Sequence, residues 1–91
     1  MVREEFGMGY YFITFRSVTF AQRGERILNT NGIRCTLQRT PHWMEEQGCG
    51  YCLKLTTHNI EEVVNLLRRS KVPMRKVYTQ YSEGQMEEVQ V

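Results

Sequence analysis

Ile33-Arg34-Cys35-Thr36-Leu37-Gln38 and Tyr51-Cys52-Leu53-Lys54-Leu55-Thr56 are the two stretches whose reading decides the fold. In the first, Ile33, Cys35 and Leu37 alternate with Arg34, Thr36 and Gln38. In the second, Tyr51, Leu53 and Leu55 alternate with Cys52, Lys54 and Thr56. A period of two is the mark of a strand with one buried face. Thr40-Pro41 ends the first run, because proline cannot donate to a ladder. The second run then follows with no helical pattern between, which predicts two strands adjacent in sequence. Alternation assigns Tyr51, Leu53 and Leu55 to a covered face and leaves Cys52, Lys54 and Thr56 on the other.

Upstream, Tyr10 to Phe15 is an aromatic and β-branched run that suits a strand. Ser17 is placed to cap a helix whose stripe is Phe20, Ala21, Gly24, Ile27 and Leu28, and Asn31-Gly32 supplies its stop. Gly24 within that stripe predicts a close approach of helix to sheet. Downstream, Asn59 with Glu62 resembles a capping box, and Ile60, Val63, Val64 and Leu67 form a second stripe that ends before Val72-Pro73. Met74 to Tyr81 reads as the last strand. The order β-α-β-β-α-β predicts an α+β, ferredoxin-like domain: a four-stranded antiparallel sheet with both helices on one face. The domain is expected over 10–81, between a flexible N-terminal extension, 1–9, and a flexible acidic C-terminal tail, 82–91. The uncovered sheet face carries Tyr10 and Phe12, or alternatively Tyr11, Ile13 and Phe15, and is a candidate surface for a homodimer.

With 91 residues, 41% hydrophobic and 24% charged, the chain falls in the range of one globular domain. A net charge of +2 is too mild to argue for nucleic acid or a membrane surface as partner. No segment has the apolar length of a membrane span, and Met1 to Gly9 lack the apolar core of a signal peptide. The expected location is the cytoplasm, where the three cysteines, Cys35, Cys49 and Cys52, stay reduced. Cys35, inside an apolar alternation, is read as packing.

The connection from Pro41 to Gly50 is long for a hairpin, and long connections often carry function. It contains Gly48-Cys49-Gly50, a cysteine between two residues without side chains, followed by Cys52. Neighbours of that kind expose a sulfur, and nearby main-chain N–H groups steady a thiolate. Arg39, His42 and Lys54 are the cations placed to add positive potential. A CxxC element serves redox exchange, metal binding and persulfide transfer alike. Redox pairs usually sit at a helix start, whereas this one runs into a strand, and a structural zinc site wants four ligands where one pair is present. Gly50-Tyr51-Cys52-Leu53-Lys54-Leu55 also echoes an RNA-recognition strand, but leucines stand where stacking aromatics belong.

On these residues the chain resembles the selenium/sulfur carrier protein-like domain family. The likeness covers Tyr10 to Tyr81 and rests on the first strand leading to Arg16-Ser17, on Asn31-Gly32-Ile33, on Thr40-Pro41, and above all on Cys49-Gly50 leading into Tyr51-Cys52-Leu53-Lys54-Leu55. The resemblance implies that Cys49 is the carrier thiol, flanked by Gly48 and Gly50, in a protein that needs no cofactor or metal. It implies persulfide or selenium donor and acceptor proteins as partners, and favours a carrier over an enzyme. Where the family has a small residue, usually alanine, this chain has Cys52, a second thiol able to resolve a persulfide on Cys49 or pass the atom on. The competing expectations are a dithiol oxidoreductase using Cys49 and Cys52, and a regulatory module assembling through its open sheet face.

Overall fold

The two alternating runs are strands, and they pair with each other. A computed structural model describes residues 10–40, 50–57, 59–82 and 85–90. Its elements are β1 (Tyr10–Phe15), α1 (Val18–Thr30), β2 (Cys35–Arg39), β3 (Tyr51–Leu55), α2 (Ile60–Arg69), β4 (Val77–Ser82) and β5 (Gln85–Val89). They form one sheet in the order β2-β3-β1-β4-β5, and every neighbouring pair is antiparallel. The first four strands have the arrangement that two interlocked β-α-β units produce.

The fifth strand corrects the expectation of four. It comes from the stretch read as an acidic tail, whose Glu87 and Glu88 hide a strand from any reading by hydrophobic pattern. β5 is held instead by its ladder to β4, with Val77 opposite Val89 and Thr79 opposite Glu87, and by Val89 packing on the core. An edge strand needs one partner only, and charges on it discourage further pairing.

Register sorts the sheet's side chains. Leu53 sits between Ile13 of β1 and Leu37 of β2, and Ile13, Phe15, Leu53, Leu55 and Val77 join the buried residues of both helices in one core. Both helices therefore cover the same face. On the other face lies a small cluster of Phe12 and Cys52, with Tyr78 packed against it. The alternation in β1 is thus resolved in favour of Tyr10 and Phe12 on the face away from the helices.

Local signals explain the helices. Ser17 Oγ accepts from the Phe20 amide at 3.3 Å, and Asn59 Oδ1 accepts from the Glu62 amide at 3.2 Å; each satisfies one of the orphan donors of a first turn. Gly24 of α1 is buried against the sheet: a Cβ built there would come within 3.2 Å of Phe15 Cζ and 3.3 Å of Leu53 Cδ1.

Both helices end the same way. After α1, the Ile33 amide donates to the Leu28 carbonyl at 2.8 Å and the Gly32 amide to Asn29 at 3.1 Å. After α2, the Val72 amide donates to Leu67 at 3.0 Å and the Lys71 amide to Arg68 at 3.0 Å. This paired closure requires a left-handed residue just past the helix, normally glycine. Gly32 has φ 79° and Lys71 has φ 61°, so a lysine occupies the second turn at a steric cost that glycine avoids.

Two stability measurements follow from these contacts. Gly24→Val forces two methyl groups into the Phe15 and Leu53 contact and lowers the unfolding free energy by about 1–3 kcal/mol in urea titration; an unchanged midpoint would show that the helix can lift. Lys71→Gly raises stability by about 0.5–1 kcal/mol, the left-handed strain relieved less the added entropy of the unfolded chain. Gly32→Ala moves it the other way, and equal stability in all three chains would refute the account of the turns.

Candidate functional site

The ladder between β2 and β3 does not stop at its last strand pair, Arg39 opposite Tyr51. The Thr40 amide donates to the Gly50 carbonyl at 3.0 Å, which closes the base of the connection spanning 41–49. Gly50 is buried there. His42, Gly48 and Cys49, all singled out from the sequence, lie outside the described residues. Of the remaining expected site residues, Arg39 is exposed and stands at this strand entrance. Arg16, also exposed, follows Phe15, which pairs with Tyr51. Two guanidinium groups thus belong to the sheet end from which the Cys49-Gly50 peptide enters β3, and sequence reasoning named only one.

Lys54 is set apart from them. Its Nζ lies 4.2 Å from the Tyr10 ring centroid and 5.9 Å from that of Phe12, within the range at which an ammonium is drawn to an aromatic face. Because Tyr11 pairs with Leu55, Tyr10 stands beyond the far end of β3. Four residues of strand separate Lys54 from Gly50, about 13 Å, and the side chain leans the other way. At that separation its charge is largely screened at the strand entrance.

Cys52 is 0% exposed. It lies between Thr14 of β1 and Gln38 of β2, on the face away from the helices, beside Phe12. Burial pushes its thiol pKa up, and the side chains of Thr40 and Gln38 and the charge of Lys54 pull it partly back. The help from Thr40 is weak, because its buried Oγ1 makes no hydrogen bond of regular geometry. Burial wins, and Cys52 is a protonated thiol at neutral pH. In the sequence Thr40 stood out only as the end of the strand and part of the family likeness, and Gln38 only as part of the alternation, though the place of both beside Cys52 follows from strand parity once the register is known.

Cys35 packs against the main core, as its alternation implied. Its pKa is pushed up to about 11 from the ordinary 9.0, first by burial and then by the Glu25 carboxylate. Among the described residues, His, Cys, Asp and Glu side chains nowhere gather in threes at metal-binding distance. No helix of the described residues is long and apolar enough to cross a membrane.

The braced strand entrance and its cysteine-glycine pair sit within a larger match. The family model described as "Putative Se/S carrier protein-like" matches residues 10–79, from the first residue of β1 into β4. The chain belongs to the Se/S carrier protein-like family. Comparison with curated proteins and with solved structures gives no match. The Se/S carrier match takes in both helices and the whole β2–β3 unit, while β5 lies beyond its end.

The described thiols have a measurable signature. The folded chain keeps the Cys35 proton to about pH 11 while the unfolded chain releases it near the ordinary 9.0. Cys35 therefore contributes stability that is fully present below about pH 9 and is lost as pH rises toward 11. Denaturation followed from pH 8 to pH 11 should show a decline that is smaller in Cys35→Ala. Iodoacetamide at neutral pH should leave Cys52 unmodified in the native protein and modify it in urea; rapid native labelling would contradict its burial.

Proposed function

We propose that this protein carries sulfur or selenium on Cys49 as a persulfide or selenopersulfide, taken from a donor protein and released to an acceptor. The observation that carries the reading is the family match over 10–79, with Cys49-Gly50 leading into a strand whose entrance is tied by the Thr40–Gly50 hydrogen bond. The Cys49 thiolate attacks the terminal sulfur of a donor persulfide. A new S–S bond forms to Cys49, the donor's S–S bond breaks, and the donor leaves as a thiolate. Delivery is the same exchange in reverse, with an acceptor thiolate attacking the carried atom. No electrons are gained or lost overall, so no cofactor enters, and the selenium case follows the same steps.

The neighbouring residues support these roles. Gly48 and Gly50 put no side chain between the sulfur and a visiting protein. Arg39, joined by Arg16 at the strand entrance, supplies positive potential that favours the thiolate, and His42 is a further basic residue of the connecting sequence. Lys54, held over Tyr10, contributes little there. The reducing cytoplasm is the compartment in which such a thiol stays available.

Burial of Cys52 favours a one-thiol carrier over a dithiol oxidoreductase, since a protonated thiol with no exposed surface is a poor partner in exchange. A resolving role for Cys52 requires that Thr40 and Gln38 first part from it. The open-face homodimer also gains little from the described residues. Tyr10, 43% exposed, is the one large hydrophobic side chain among them that faces solvent, while stable interfaces bury about 800 Å² per partner.

Incubation with a persulfide donor followed by mass spectrometry should find one added sulfur on the Cys49 peptide, removable by dithiothreitol and missing in Cys49→Ser. Loading that survives in Cys49→Ser, or that maps to Cys52, would sink the assignment.

A further inference from the structure

A cleft of about 530 Å³ opens between the end of α2 and the β4–β5 pair. Among the described residues its lining includes four basic side chains, Arg68, Lys71, Arg75 and Lys76, and one carboxylate, Glu88. That carboxylate lies 4.0 Å from Lys76 Nζ, with the two side chains 43% and 51% exposed, and an exposed pair of this kind neutralises little. Arg68 has a local explanation, because the last turn of a helix favours positive charge. Lys71 and Lys76 lie past the helix and have no such reason for their charge.

Lys71 is the telling residue. The turn it occupies is built on the same two hydrogen bonds as the turn at Gly32, and its φ of 61° is one that glycine adopts without strain. Strain kept at a charged residue in a cleft points to use of the side chain.

The cleft also lies at a meaningful end of the sheet. The Thr14 amide donates to Lys76 and the Arg75 amide donates to Thr14, each at 2.8 Å, while Thr14 pairs with Cys52 and Phe15 with Tyr51. Arg75 and Lys76, which lead into β4, are thus level with the start of β3, with only β1 between them, about 10 Å away at the usual strand spacing.

We propose that this cleft docks an acidic segment of the donor protein that delivers sulfur or selenium to Cys49. The inference rests on the carrier reading. It adds the chemical character of the partner and where on the chain it sits. A carrier must meet its donor repeatedly and let go, which suits charge steering of a short acidic segment more than a large apolar interface. The cleft is far larger than a single inorganic anion, and Met74 on its wall gives an apolar contact for a peptide.

The test uses the full chain and a fluorescein-labelled peptide of alternating Glu and Leu, followed by anisotropy. Lys71→Gly and Lys76→Gln should each weaken binding about fivefold, and binding to the wild type should fall as salt rises. Arg26→Gln, an exposed change on α1, should leave it intact. Lys71→Gly should melt higher while binding less, which separates lost docking from lost folding. Cys49→Ser should bind the peptide normally yet fail to load sulfur, and the two lysine variants should load normally from inorganic polysulfide. Failure of the docking idea and failure of the carrier idea are therefore read on different instruments. Peptide affinity unchanged in both lysine variants overturns the proposal, as does tighter binding of inorganic phosphate or of a single-stranded oligonucleotide than of the peptide.

Discussion

The register of β3 between β1 and β2 is the constraint on which the rest depends. With Leu53 placed between Ile13 and Leu37, the leucines of β3 enter the core and Cys52 is turned to the opposite face. A slip of one residue would exchange the two sets, put Lys54 under the helices and bring Cys52 against them. The same register carries Gly50 to the end of the sheet, level with Arg16, and leaves Thr40 opposite it to extend the ladder. Packing and site geometry are consequences of one alignment, fixed by the apolar alternation of two short strands.

Much of this was legible before any coordinates. β1 coincides with its expected bounds and β3 ends one residue short of them, both helix caps are the residues whose side chains suit that role, and Gly24 does bring α1 close to the sheet. Those features share a cause: each is set by interactions within a few residues or by a strict period. β5 was missed because its strand character comes from a neighbour's backbone and not from its own side chains. The burial of Cys52 stayed open for a related reason. Alternation says which face a residue points to, but Phe12, Tyr78 and the Thr40–Gln38 pair decide whether that face is wet.

The charges escaped a sequence reading in a different way. A net charge of +2 is unremarkable, yet the fold gathers Arg68, Lys71, Arg75 and Lys76 around one cleft and sends Lys54 to the opposite end of β3. Composition averages over the surface, whereas Coulomb interactions fall off within a Debye length of about 8 Å. Two lysines identical in sequence terms consequently serve different ends, one capping an aromatic ring and the other held in a left-handed turn. The Se/S carrier family match supplies the functional context, and the positions of these cations give it a direction along the molecule.

The hydrogen bond from Thr40 to Gly50 has a bearing on how such a domain can change over time. Because it seals the hairpin below the connection, residues can be gained or lost from 41 to 49 without shifting a single pairing in the sheet. Loop entropy grows only slowly with length, so such indels weigh little on folding. Descendants of this chain are free to diversify the sequence of that connection on an inherited frame.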